Sequence, residues 1–126
     1  MEKTIDVVAI GNAIVDVIAR QQDGFLAEQG IEKGAMTLID TERAENLYAA
    51  MGPGIEMSGG SAANTASGLA GLGAKAAYVG KVANDQLGQV FRHDITAAGV
   101  AFPTPPLSGG APTARCLILV SPDGQR

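Results

Sequence analysis

The stretch SGGSAANTASGLAGLG, Ser58 to Gly73, constrains the fold of this chain more than any other. Two adjacent glycines, a serine and an asparagine open a segment built almost wholly from small residues. Gly59 and Gly60 carry no Cβ, so they tolerate positive φ and let another group approach the backbone. Ser61 is a favourable N-cap, and the run through Ala62, Ala63, Ala66, Leu69 and Ala70 favours helix. The first N–H groups of that helix lack intrahelical acceptors and carry the positive end of its dipole. Asn64 adds a donor and an acceptor in the first turn. Such a corner suits a polar, hydroxyl-rich ligand. It equally suits a tight turn before a helix laid closely on a sheet, with glycines that serve packing alone. The spacing rules out two phosphate-binding patterns. Gly68, Gly71 and Gly73 fall inside or at the end of the helix and make no Gly-x-Gly-x-x-Gly, and no Gly-Lys-Ser/Thr occurs.

The flanking segments read as an α/β protein. Ile5 to Ile10 (IDVVAI) is a near-continuous apolar run of the kind found in a buried strand, ended by Gly11. In the following GNAIVD, Asn12 and Asp16 stand four residues apart and share a face if the segment is extended. An acid inside AIVDVIA is costly to bury unless it is paired or serves a ligand, and the alternative is an exposed Asp on an edge strand. Gly24 to Gly30 suggests a short helix and Ala35 to Ile39 (AMTLI) a short strand. Asp40 or Thr41 caps a helix running through Met51, which Gly52-Pro53-Gly54 breaks. After the central helix, Ala76 to Val82 reads as a second core strand. Asp85 caps a helix over Gln86 to Ala98 that Gly99 closes, with His93 on its solvated side. Val100 to Ala111 is a Pro/Gly-rich loop with short edge-strand pieces, and Thr113 to Val120 a clear strand. Ser121-Pro122-Asp123-Gly124 carries a type I turn signal that asks for a returning strand. The sequence stops two residues later, at Arg126, and the natural protein is expected to continue.

Bulk properties narrow the partners. The chain has 126 residues, 46% of them hydrophobic and 4% aromatic, so its core relies on Ala, Val, Ile and Leu. Nine basic against thirteen acidic residues give a net charge of −4, with no Lys/Arg cluster to mark a nucleic-acid or anionic-membrane surface. No apolar stretch approaches the roughly 20 residues of a membrane span. The single Cys116 can form no internal disulfide, suits a reducing cytoplasm, and in its apolar run reads as a core filler.

With these pieces in place, the chain resembles the N-terminal portion of a ribokinase-like (PfkB-type) sugar or nucleoside kinase. Three segments carry the resemblance: the opening strand with GNAIVD, the run from Gly59 to Gly88 (GGSAANTASGLAGLGAKAAYVGKVANDQLG), and PTARCLILVSPDGQR from Pro112 to Arg126. Their order and span, covering essentially the whole chain, make the likeness specific. The implied fold is a doubly wound α/β sheet with a small β lid, whose strands would come from Ile14–Arg20, Ala35–Ile39 and the Phe102–Leu119 region. Residues 1–126 would be the acceptor-binding part, with the ATP-binding part outside this chain.

The resemblance implies transfer of the γ-phosphate of ATP, with Mg²⁺, to a primary alcohol of a sugar or nucleoside by the complete enzyme. Asp16 would hold acceptor hydroxyls with Asn12 beside it, while Gly59, Gly60, Ser61 and Asn64 hold the ribose. Ser61, where ribokinases often carry Lys, points to the adenosine-kinase side of the family. The family's Gly-Ala-Gly-Asp catalytic motif is absent; Gly109-Gly110-Ala111-Pro112 is not a match. No catalytic or metal-binding residue is therefore assigned, no cofactor is expected to bind these residues alone, and the stretch by itself is expected to be inactive. The other reading is a non-catalytic sugar- or nucleoside-binding α/β module. Further expectations are a small-molecule partner, a cytoplasmic location, and a homodimer formed through the lid.

Overall fold

The computed structural model describes residues 1–126. In chain order its elements are β1 (Val7–Ile10), β2 (Ile14–Arg20), α1 (Asp23–Glu28), α2 (Thr41–Ala50), β3 (Ile55–Gly59), α3 (Ser61–Gly71), β4 (Ala76–Val79), α4 (Gln86–Ala97) and β5 (Ala114–Val120). The strands form two sheets, a β1-β4 pair and a three-stranded sheet of order β3-β2-β5. The chain divides into two compact units, Met1–Val15 with Glu56–Arg115, and Asp16–Ile55 with Cys116–Arg126.

In the first unit β1 and β4 run parallel, with Val7 opposite Ala76 and Ile10 opposite Val79. Parallel neighbours need a crossover, and α3 is packed against both strands. Its small residues permit the close approach: Ala63 and Ala66 are buried, and a Cβ at Gly11 would stand only 2.7 Å from the Ala62 Cβ. The core beneath α4 is aromatic. Tyr78, Phe91 and Phe102 pack with ring centroids 5.4–5.7 Å apart, and Ile95 and Val100 complete the cluster. Arg92 lies 4.5 Å over the Phe102 ring and donates to the Phe102 and Thr104 carbonyls, pinning the loop that follows α4. Isolated bridges at Ala101 and Leu107 are the edge-strand pieces expected in that loop.

The second unit buries Val17 and Ala19 of β2, Leu26 of α1, Ala44 and Leu47 of α2, and Met51. Asp40 is the α2 cap, its carboxylate accepting from the Arg43 N–H at 2.8 Å. Arg43 in turn donates to the Gln29 side chain and backbone carbonyl. The turn after β5 closes as its residues suggest: the Gly124 N–H donates to the Ser121 carbonyl, and Lys33 bridges Asp23 and Asp123 at 3.1 and 2.9 Å.

Four expectations are corrected. β1 is not a buried strand: Val8 and Ile10 are 56% and 76% exposed, because β1 pairs only with β4 and α3 covers one face. Ala35–Ile39 forms no strand, and Met36 and Leu38 stand in solvent, since no neighbouring strand pairs with them. Cys116 is exposed rather than a core filler, because on β5 it alternates with the more buried Leu117 and Leu119. Asn12 precedes β2, so extended-strand periodicity does not place it on a face with Asp16.

Candidate functional site

The start of α3 is built by one glycine. Gly60, not Ser61, is its N-cap, with φ +92°, and its carbonyl accepts from the Asn64 N–H at 2.9 Å. That backbone is strained for any residue with a Cβ, and a Cβ here would also stand 2.8 Å from the Asn12 carbonyl oxygen. The GNAIVD segment and the glycine corner are thus in direct contact within the first unit. Gly59 ends β3 and is buried, and the Ser58 N–H donates to the Asp94 carboxylate on α4 at 2.9 Å, anchoring the corner. Ser61 becomes the first helical residue. Its hydroxyl caps nothing, while its carbonyl accepts from the Thr65 hydroxyl at 2.8 Å.

This leaves the side chains of Asn12, Ser61 and Asn64 exposed, beside helix N–H groups that no side chain satisfies. Donors, acceptors and the positive helix end converge on one polar corner. Its chemistry matches neighbouring hydroxyl groups better than a bare phosphate, because carboxamide and serine hydroxyl both donate and accept.

Asp16 belongs to the second unit, on the central strand of the β3-β2-β5 sheet, so the edge-strand alternative is set aside. It is half-buried on the face opposite Val15 and Val17, and burial raises its carboxyl pKa. It makes no ion pair that would explain its cost. On β5 the Cys116 thiol is likewise raised, by burial first and then by the Asp16 charge.

Sequence reasoning missed one cluster at the start of α4. The Asp85 carboxylate accepts from the Gly88 N–H at 2.8 Å, the Thr113 N–H at 2.9 Å and the Thr113 hydroxyl at 2.6 Å. That hydroxyl in turn accepts from the Ala83 N–H at 2.9 Å. Burial alone would raise the Asp85 pKa, but the Thr113 and Gly88 hydrogen bonds and the Arg115 charge bring it below the usual carboxylate value. The cap was legible from sequence; its partner 28 residues away carried no local signal.

The order and geometry of these segments are matched across known proteins. Residues 4–126 fit the pfkB family of carbohydrate kinases. The chain belongs to that family. Among solved structures, adenosine kinase from Sinorhizobium meliloti is similar at 60% identity and a TM-score of 0.82, over 98% of this chain and 38% of that one. A probable sugar kinase from Rhizobium etli CFN 42 gives 58% identity and 0.82, over 97% and 37%. A probable fructokinase-4 of Arabidopsis thaliana is 31% identical over 99 residues, 74% of this chain and 29% of that protein. The pfkB chain therefore spans between about three tenths and two fifths of the length of these relatives. Its architecture is the α/β ribokinase-like one that the sequence implied.

No group of three or more His, Cys, Asp or Glu is placed to hold a metal ion, and no P-loop pattern occurs. No helix is long and apolar enough to cross a membrane.

Proposed function

We propose that the protein carrying this chain transfers the γ-phosphate of ATP to a primary alcohol of a sugar or nucleoside, with an adenosine-like acceptor favoured. Residues 1–126 are its acceptor-binding part, and the residues that hold ATP and Mg²⁺ lie outside them. The observation that carries this reading is the unpartnered polar corner at the start of α3, where a positive-φ glycine exposes helix N–H groups beside Asn12, Ser61 and Asn64. Family membership and the likeness to an adenosine kinase support the reaction class and the acceptor.

In this reading Asp16 accepts hydrogen bonds from acceptor hydroxyls, and Asn12 orients them. The Gly59-Gly60 backbone, Ser61 and Asn64 hold the ribose. Phosphoryl transfer depends mainly on positioning and charge stabilisation, so a carboxylate that fixes the alcohol contributes through geometry. The half-buried, unpaired Asp16 is suited to this because a ligand hydroxyl supplies the partner the fold does not. No catalytic base is assigned within these residues. Assembly as a homodimer through the lid strands and a cytoplasmic location complete the proposal.

The test is Asp16→Ala in the full-length protein, assayed for ADP release with ATP and adenosine. Activity should fall at least about a hundredfold, a loss of about 2.7 kcal/mol in transition-state binding, with the melting temperature held. Unchanged turnover would sink the assignment.

A further inference from the structure

One buried polar atom has no role in the fold just described. The Tyr78 side chain is fully buried, and its hydroxyl makes no hydrogen bond although it is sealed from solvent. Folded proteins pair nearly all such groups, and an exception calls for a specific cause. The ring is fixed by Phe91 and Phe102, so the hydroxyl does not swing away to find a partner.

Two glycines keep space around it. A Cβ at Gly80 would lie 2.7 Å from the hydroxyl oxygen and 2.6 Å from the ring. A Cβ at Gly11 would lie 3.7 Å from the same oxygen and 2.7 Å from the Cβ of Ala62 in the first turn of α3. Neither glycine has positive φ, so both are required for room rather than for backbone conformation. Gly11 follows β1 and Gly80 follows β4, which places the hydroxyl at the carboxyl ends of two adjacent parallel strands. Ligands of open α/β sheets bind in that position. The hydroxyl thus lies near Gly11, where a Cβ would touch Ala62 in the first turn of α3, with Asn12 the next residue along. Burial raises the phenol pKa, so the group is a neutral donor at physiological pH.

We propose that the Tyr78 hydroxyl is a ligand-facing, specificity-determining group of the α3 corner, donating a hydrogen bond, directly or through one water, to a hydroxyl of the acceptor. This rests on the acceptor reading given above. The group discriminates polyhydroxylated acceptors from deoxy analogues, because only the former relieve its unpaired state.

The test is Tyr78→Phe in the full-length protein, titrated calorimetrically with adenosine, ribose and fructose, beside wild type and Asn64→Ala. The expected result is about tenfold weaker binding of the preferred probe to Tyr78→Phe, with an unliganded melting temperature equal to or above wild type. Unchanged affinity with a raised melting temperature marks a merely stranded core hydroxyl and overturns the proposal. A lowered melting temperature also overturns it, since the hydroxyl would then be serving the fold. If Asn64→Ala weakens binding and Tyr78→Phe does not, the acceptor reading stands and this proposal alone fails. Wild type that binds none of the three probes removes both.

Discussion

Two helix starts in the same unit are built in opposite ways. At α4 an acidic cap has all its work inside the protein: Asp85 takes three hydrogen bonds, and Thr113 ties it to the Ala83 backbone. At α3 the cap is a glycine, no side chain satisfies the first N–H groups, and Ser61 and Asn64 face solvent. A helix start costs free energy when its donors go unmet, and a side-chain cap recovers typically about 1 kcal/mol. The chain takes that recovery at α4 and forgoes it at α3. Under the proposed acceptor site the difference separates a structural terminus from one open to a ligand, and substitutions at the two ends should diverge accordingly.

The largest loss of stability is expected at the satisfied end. Asp85→Ala leaves the buried Thr113 hydroxyl and two backbone N–H groups without their acceptor, costing about 3 kcal/mol at 1–3 kcal/mol per stranded group. Thermal melting of the full-length protein reads this directly, and a loss under about 1 kcal/mol would mean that the cluster is replaceable. Gly60→Ala should come next. Its φ of +92° and the 2.8 Å approach to the Asn12 carbonyl are expected to cost about 1–3 kcal/mol. Acceptor affinity should fall with it, and a variant as stable as wild type would show that the corner is not fixed by this glycine.

Acid sharpens the contrast with a smaller effect. The Asp85 pKa is lowered in the fold, so its contribution is fully present above the unfolded value of about 4 and is lost as pH falls through the folded one. Asp123, lowered to about 2 by the Ser121 hydroxyl and Lys33, also loses its contribution in acid. Comparing wild type with Asp85→Asn isolates the first: melting temperature should fall less steeply below pH 4 in the variant. Identical slopes would show that Asp85 is not protected by its hydrogen bonds.

What the sequence made legible was local chemistry. The Asp85 and Asp40 caps, the glycine closing α4 with φ +91°, and the turn after β5 each depend on residues within a few positions of one another. Ser61 was misplaced by one residue because a serine and a glycine both qualify as caps, and only the φ of Gly60 decides between them. The exposure of β1, the bare Ala35–Ile39 segment and the accessible Cys116 depend on which surfaces meet, and no periodicity encodes that. Tyr78 lies in the segment that reads as a core strand. Its unpaired hydroxyl is visible only once Gly11, Gly80 and Ala62 are brought around it. Of the candidate site, the family resemblance implied the residues, while the close approach of Asn12 to Gly60 is visible only in the structure.

An acceptor site at the start of α3 is tested most directly by titrating the full-length protein with adenosine before and after Asn64→Ala. The Asn64 side chain is exposed and holds nothing in the fold, so the variant should melt within about 0.5 kcal/mol of wild type. Its affinity for adenosine should fall about tenfold or more, the loss of one or two hydrogen bonds to the ligand. Equal affinity at equal stability would contradict the site and return the glycine corner to a purely structural role.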